Sequence, residues 1–249
     1  MINEKIWVFQ DCDGIDNTKE VFSLLISEFE RIFGYNTMNN EKCLIFNDAQ
    51  AGCPMLIIKS TPIQIRLTLK TLSYWDLTIF QLSHEFCHYA IRQHKVQKEC
   101  TLSWLEEIIC EAISLYALQY CAENWNQCSL SAINPNYSQA IFLYLTTELK
   151  QKWTRGFRDC KTLELLSQYE NEKKAETDRA SHRNERNFLY GEIVKNPSGC
   201  LSFCQYQNYI NSDGVTINFT AWENDDSSSL IKALHKIQPY IYKKGTYYS

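Results

Sequence analysis

The chain has 249 residues, of which 45% are hydrophobic and 22% are charged, and it carries a formal net charge of −4 at pH 7. This composition is typical of a folded globular protein, and the length is sufficient for a sizeable core. Because the balance is acidic and the Lys and Arg residues form no basic stripe, nucleic acid is excluded as an expected partner.

The first residues and the cysteines bear on the compartment. The opening MINEKIWVFQ lacks the basic and apolar regions of a secretory signal, and no stretch reaches the ~18 apolar residues of a membrane helix. Several of the 11 cysteines, such as Cys43, Cys87 and Cys110, lie inside apolar segments, which predicts buried, reduced thiols. We therefore expect a cytoplasmic protein without a membrane partner. The sequence leaves the oligomeric state open.

The first third of the chain predicts a small mixed sheet and one long helix. Short apolar runs separated by Asn, Gly and Pro have the length of strands: 6–9, 43–46, 55–58 and 63–69. The last run alternates apolar and polar residues, as a half-buried or edge strand does. Between the first two runs, apolar residues recur at helical intervals from Asn17, which has capping-box spacing with Glu20, to a terminating Gly34.

The middle of the chain predicts helices. The apolar spacing indicates helices at about 76–94 and about 103–124, and a third of about fifteen residues after Pro135. Residues 168–188 are highly charged and almost free of apolar side chains, which is typical of a solvated helix or a mobile surface segment.

The C-terminal part predicts an alternating strand at 215–222 and an amphipathic helix from about Ser227 that ends before Pro239. Together the elements predict an α+β fold in which a small N-terminal sheet and a long central helix are followed by a mostly helical C-terminal lobe. The charged segment is the predicted boundary region, with a core over 1–165 and the lobe over 166–249.

His84-Glu85-Phe86-Cys87-His88 is an HExxH motif inside the first predicted central helix. Residues four positions apart lie on one face of a helix, so both imidazoles can reach one zinc ion, with Glu85 beside them. Zinc lowers the pKa of a bound water, and a neighbouring glutamate can accept its proton as the water attacks a carbonyl. The motif alone is also compatible with a helix that carries two surface histidines.

A catalytic zinc site needs a third protein ligand and one open position. Eighteen residues, 89–106, separate His88 from Glu107, which lies in the next predicted helix. Ser103 and Glu106 have capping-box spacing, which predicts that this helix begins there and puts Glu107 in its first turn. The alternative is a solvated pair of first-turn glutamates stabilised by the helix dipole, but it leaves the coincidence with HExxH unexplained.

With this spacing the sequence resembles the gluzincins, the superfamily of thermolysin-like and aminopeptidase-N-like peptidases, over roughly residues 63–120. Trp104-Leu105-Glu106-Glu107 is similar to the aminopeptidase pattern Trp-Leu-Asn-Glu, with Glu106 in place of Asn. The resemblance implies a zincin-like fold and a zinc-dependent metallohydrolase, in particular a peptidase acting on a peptide or protein substrate. It implies Glu85 as general base and one zinc ion per chain, held by His84, His88 and Glu107.

Glu111, one turn after Glu107, has two interpretations. In the thermolysin-like pattern an acidic residue at this position accepts a hydrogen bond from the first histidine, which implies that Glu111 orients His84. The stretch CEAIS at 110–114 also resembles the thermolysin segment Glu-Ala-Ile-Ser, which would make Glu111 the ligand after a spacer of twenty-two residues. We favour Glu107 as the ligand.

The resemblance also implies sites for the substrate and the oxyanion. Gluzincins bind an extended peptide along an edge strand, and the strand at 63–69 is the expected one. Their oxyanion donor is a Tyr or His downstream of the third ligand, which makes Tyr169 and His182 candidates, although each is also interpretable as a surface residue. Ile108 replaces the glycine of aminopeptidases, so their specificity is not implied. The alternative function is a catalytically silent binding or scaffold protein with the same fold.

Overall fold

The computed structural model describes residues 3–12, 14–94, 101–151, 157–175, 181–239 and 241. Within these ranges the protein is α+β, as predicted. The strands are β1 (Trp7–Phe9), β2 (Cys43–Asn47), β3 (Met55–Ile57) and β4 (Ile63–Leu67). The helices are α1 (Ile15–Phe33), α2 (Tyr35–Met38), α3 (Trp75–Gln93), α4 (Ser103–Glu123), α5 (Tyr137–Lys150), α6 (Leu163–Ala175), α7 (Arg183–Lys195), α8 (Phe219–Asp225) and α9 (Ser229–Ile237). A run of 3₁₀ turns between α7 and α8, Pro197–Tyr209, is called the 3₁₀ segment below.

The sheet has the order β1-β2-β4-β3, in which β1, β2 and β4 are parallel and β3 is antiparallel to β4. The prediction that the strand at 63–69 lies at an edge is wrong, because β3 pairs with its outer side, which leaves β1 and β3 as the edge strands of the described sheet. The alternation in β4 reflects its two faces instead: Ile63 and Ile65 are fully buried, whereas Gln64 and Arg66 are half-buried. Alternation of apolar and polar residues indicates that one face of a strand is partly exposed. It does not indicate whether the strand pairs with one or two neighbouring strands.

Neither predicted capping box forms. α1 begins at Ile15 rather than Asn17, because Gly14 adopts a left-handed conformation (φ 79°) that leads the chain directly into the helix. It ends before Gly34, as predicted. α4 begins at Ser103, as predicted, but its N-cap residue is Leu102, which has no side chain able to cap it.

The C-terminal part contains a helix where a strand is predicted. α8 covers the second half of residues 215–222, because the Asn218 side chain accepts a hydrogen bond from the Ala221 N–H and caps a new helix. The first half makes an isolated antiparallel bridge between Ile217 and Ile210. The predicted final helix is confirmed as α9.

The charged segment 168–188 is not the solvated segment that its composition predicts. Within the described residues, α6 and α7 cover much of it, and these side chains are almost fully buried: Glu170, His182, Glu185 and Arg186. Burial of charged groups is tolerated where they find ionic or hydrogen-bonding partners. The predicted boundary at residue 165 lies inside α6, and buried apolar residues on both sides of it belong to one cluster. The division into two domains stays a prediction.

Ten cysteines lie in the described part of the chain, and eight of them are buried. Cys43, Cys87 and Cys110 are among the buried ones, as predicted. In the same part of the chain, no helix combines the length and the apolar character that a membrane crossing requires.

Candidate metal centre

His84 and His88 lie one turn apart on α3, and Glu107 faces them from the beginning of α4. The two Nε2 atoms are 3.1 Å apart, and oxygens of Glu107 lie 3.3 Å from the Nε2 of His84 and 3.4 Å from that of His88. One ligand atom from each residue lies within 4.8 Å of the other two. Tetrahedral bonds of about 2.0–2.2 Å place neighbouring ligand atoms roughly 3.4 Å apart, so these distances fit a zinc ion.

Packing of α3 on α4 brings the ligands together. Phe86 on α3 and Ile108 and Ile109 on α4 are fully buried beside the ligands, which fixes the rotation of each helix about its axis. His84 is 2% exposed, whereas the Glu107 side chain is 31% exposed, so the centre is buried on one side and accessible on the other. An accessible side is what a centre needs to admit water and a substrate.

Glu85 follows His84 on α3 and is 2% exposed. The group that could hold a metal ion does not include it. Its carboxylate is therefore not required as a ligand, which is compatible with the proton-transfer role that the motif implies.

Glu111 does not make the predicted contact with His84. Its Oε2 lies 3.2 Å from Nη1 of Arg186 and 3.4 Å from Nε2 of His182, while Nδ1 of His84 is buried without a hydrogen-bond partner in the described residues. The prediction is wrong because α7 places a guanidinium beside Glu111, and a buried carboxylate pairs with that charge. The alternative in which Glu111 is the third ligand is not supported either, since the ligand group contains Glu107.

The two predicted oxyanion donors lie in different surroundings. The Tyr169 hydroxyl is 2.8 Å from Oγ of Ser181. His182 is 1% exposed, so its interpretation as a surface residue is wrong, and it contacts Glu111, one helical turn beyond Glu107. Neither belongs to the metal-ligand group. The oxyanion role of both stays a prediction.

Glu106 and Tyr206 belong to the surroundings of the centre, and the sequence interpretation missed both. Glu106 accepts a hydrogen bond from Nδ1 of His88 (2.7 Å) and a second one from the Tyr206 hydroxyl (2.6 Å). The sequence signal for Glu106 is its position next to Glu107. The capping-box interpretation assigns Glu106 to the N-terminus of the helix instead of to a histidine ligand. Tyr206 gives no local signal, because it lies 100 residues further along the chain.

The charges at the centre depend on one another. Burial alone would lower the pKa of His88, but its hydrogen bonds to Glu106 and Glu107, and their charges, raise this pKa well above its ordinary value. Burial alone would raise the pKa of Glu107, but His84 and His88 hold it well below its usual range. The carboxylates therefore stabilise positive charge at His88, and a metal cation beside them meets the same requirement.

Across the described residues, His84, His88 and Glu107 are the one group of three or more His, Cys, Asp or Glu side chains that could hold a metal ion. Two imidazole nitrogens and a carboxylate oxygen are the donors of zinc sites that keep a fourth position for water or substrate. Compared with models of protein families, with curated proteins and with solved structures, the chain matches none. The residues of the centre therefore carry the assignment of function.

Proposed function

We propose that the protein is a zinc-dependent metallohydrolase with a zincin-like fold, and that it cleaves peptide bonds. The observation that carries the proposal is the meeting of the HExxH pair with Glu107 across two packed helices, at distances that suit a metal ion. The competing interpretation, a helix with two surface histidines, does not fit His84, which is 2% exposed. It also gives no reason for a carboxylate from a separate helix to face the pair.

Glu85 is the general base of the proposed reaction. His84, His88 and Glu107 would hold the zinc ion, which would supply a lowered pKa for a bound water and polarisation of the scissile carbonyl. Glu85, adjacent to the first ligand on α3, accepts the proton of the attacking water and passes it to the leaving amine. Its position next to His84 in the motif gives it this reach.

An extended peptide is the substrate that the sheet favours. β3 lies at one edge of the sheet, antiparallel to its neighbour, and packs beside α3. An edge strand offers unpaired backbone N–H and C=O groups to which an extended peptide can add as a further strand. Met55 on β3 and Ile58 just after it are 45% and 41% exposed, so this edge presents apolar side chains to a substrate.

Zinc content of the purified chain tests the metal centre. Elemental analysis of wild type, Glu107→Gln and Glu111→Gln compares two isosteric changes one turn apart on α4. We expect about one zinc per chain in wild type and in Glu111→Gln, and most of it lost in Glu107→Gln. A wild type that contains no zinc, and takes up none when zinc is added, would overturn the metallohydrolase function.

Cleavage of a peptide library, read by mass spectrometry, tests the reaction. Glu85→Gln should retain zinc and lower the rate of cleavage by about 10²–10⁴-fold, because the base is lost and the ligands are kept. If zinc-loaded wild type leaves every peptide intact, as Glu85→Gln does, the alternative of a catalytically silent binding or scaffold protein is favoured.

A further inference from the structure

We propose that two residues from the second half of the chain, Glu170 and Tyr206, are positioning residues that hold the Glu106 carboxylate in place at the metal centre. The inference rests on the proposed function in one respect, because it takes His84, His88 and Glu107 as the metal ligands. It concerns the groups behind these ligands.

Tyr206 ties Glu106 to the backbone at the beginning of α4. Its ring is fully buried, and its hydroxyl donates to Oε2 of Glu106 at 2.6 Å while accepting from the Leu102 N–H at 3.3 Å. The other oxygen of Glu106 accepts from Nδ1 of His88 at 2.7 Å. Each carboxylate oxygen thus has its own donor, and hydrogen bonds to a charged group are the strong ones. The carboxylate is held from both sides.

Glu170 acts on the same carboxylate by capping α4. It is 2% exposed, and its two oxygens accept hydrogen bonds from the N–H groups of Ser103 (2.9 Å) and Trp104 (3.0 Å). Glu106 lies three residues after Ser103 in the same first turn of α4, so the cap that Glu170 provides fixes the position from which the Glu106 carboxylate reaches His88.

The bond between Glu106 and His88 decides how this ring meets a metal. When Nδ1 donates its proton to Glu106, the lone pair of Nε2 points toward His84 and Glu107, where the ligand atoms converge. Loss of such a hydrogen-bonding partner commonly weakens metal binding by about 10–100-fold. Tyr206 and Glu170 act on zinc binding only through Glu106, so their substitution should weaken zinc binding less than the loss of Glu106 does.

Zinc affinity of the full chain, measured by competition with a chromogenic chelator, tests the proposal. Tyr206→Phe removes one hydroxyl and keeps the buried ring. Glu170→Gln keeps the shape of the side chain but leaves one acceptor oxygen for two N–H groups. We expect each change to weaken zinc binding about three- to tenfold, and Glu106→Ala to weaken it about 10–100-fold.

Two matched controls remove similar hydrogen bonds that involve neither Glu106 nor the three candidate ligands. Tyr116→Phe deletes another largely buried hydroxyl, which donates to the carboxylate of Glu28 from further along α4. Ser228→Ala deletes the cap of α9, where Oγ accepts from the Leu230 N–H at 3.3 Å. Both should leave zinc affinity within about twofold of wild type, because sites that share no interaction partners have independent effects.

Double variants separate positioning from general destabilisation. In a Glu106→Ala background, neither Tyr206→Phe nor Glu170→Gln should weaken zinc binding further, since the group through which they act is gone. A merely structural role would lower affinity equally in both backgrounds, and that result would overturn the proposal. Wild-type zinc affinity in both single variants would also overturn it.

Two further outcomes are decisive. If circular dichroism shows that Tyr206→Phe does not fold, the comparison of Glu170→Gln with Ser228→Ala decides alone. A wild type that binds no zinc would overturn the proposed function itself and this inference with it, whereas zinc binding without the expected differences overturns the inference alone.

Discussion

His94 follows the last residue of α3, and its surroundings favour the neutral ring. Its Nε2 is 2.9 Å from Oγ1 of Thr37, and burial lowers its pKa. The unfolded chain therefore binds a proton more readily than the folded protein between the folded pKa and the ordinary value of about 6.5. The stability that His94 contributes is present above the ordinary value and is lost as the pH falls through the folded pKa.

The free energy of unfolding should consequently fall more steeply below neutral pH in wild type than in His94→Gln. Glutamine keeps a hydrogen-bonding partner for Thr37 and does not titrate in this range. Urea unfolding at a series of pH values from about 7.5 to 5.5 measures the difference. Parallel pH profiles for the two proteins would contradict the prediction.

Arg186 is 1% exposed and pairs with two carboxylates, Glu111 (3.2 Å) and Glu148 (3.3 Å). Arg186→Met removes the charge that compensates them, so we expect the free energy of unfolding to fall by about 3–5 kcal/mol. Lys195→Met is the control, because Lys195 pairs with Glu192 while its side chain is 70% exposed. That change should cost less than about 1 kcal/mol. Urea unfolding followed by circular dichroism measures both, and equal effects would be inconsistent with a buried ionic cluster.

At the scale of elements, the sequence predicts most helices and strands, because their apolar residues recur at the required period. The sequence-based prediction fails where a single polar contact determines the type of element or the cap of a helix. The second half of the strand predicted at 215–222 becomes α8 because Asn218 caps a helix, and the predicted capping box of α4 is replaced by a cap from Glu170 of a different helix. The position of β4 inside the sheet depends on pairing with β3, which no property of its own residues records.

The edge of β3 gives a prediction about substrate binding that follows from the proposed function. Met55→Asp places a charge on an exposed apolar position of this strand, so it should raise KM for an apolar extended peptide several-fold and leave kcat and zinc content unchanged. Ile133→Asp is the control, because Ile133 is 75% exposed and lies outside the sheet. Steady-state kinetics would contradict the prediction if both variants changed KM alike.

At the scale of the whole molecule, burial divides the thiols into two classes. Cys12 is exposed and Cys53 is partly exposed, whereas the other eight described cysteines are buried. Burial raises the pKa of Cys121, Cys200 and Cys204 well above the ordinary thiol value, and a neutral thiol is a poor nucleophile.

Brief alkylation of the native protein should therefore modify Cys12 and Cys53 and leave these eight unmodified: Cys43, Cys87, Cys110, Cys121, Cys128, Cys160, Cys200 and Cys204. Peptide mapping by mass spectrometry measures the modification, and the same treatment in urea should label all of them. Rapid native labelling of Cys200 or Cys204 would show that the 3₁₀ segment opens, contrary to its burial.

Part of the candidate centre could be predicted from the sequence, and part could not. His84, His88 and Glu107 follow from spacing within two adjacent helices, so they could be proposed without a structure. The surroundings could not, because Glu106 looks like a capping residue and Glu111 looks like a partner of His84. Their actual partners, Tyr206 and Arg186, come from segments whose composition predicts no role at the centre.

The first turn of α4 obtains its partners late in the chain. The Ser103 N–H bonds to a carboxylate 67 residues further on, and Glu106 to a hydroxyl 100 residues further on. A ribosome adds about 5–20 residues per second, so α3 and Glu107 are synthesised seconds before Glu170 and Tyr206. During that interval the nascent chain carries all three ligands without the contacts that arrange them. Under the proposed function, metal binding therefore follows synthesis of the chain through Tyr206, and an ion captured earlier would be held only loosely.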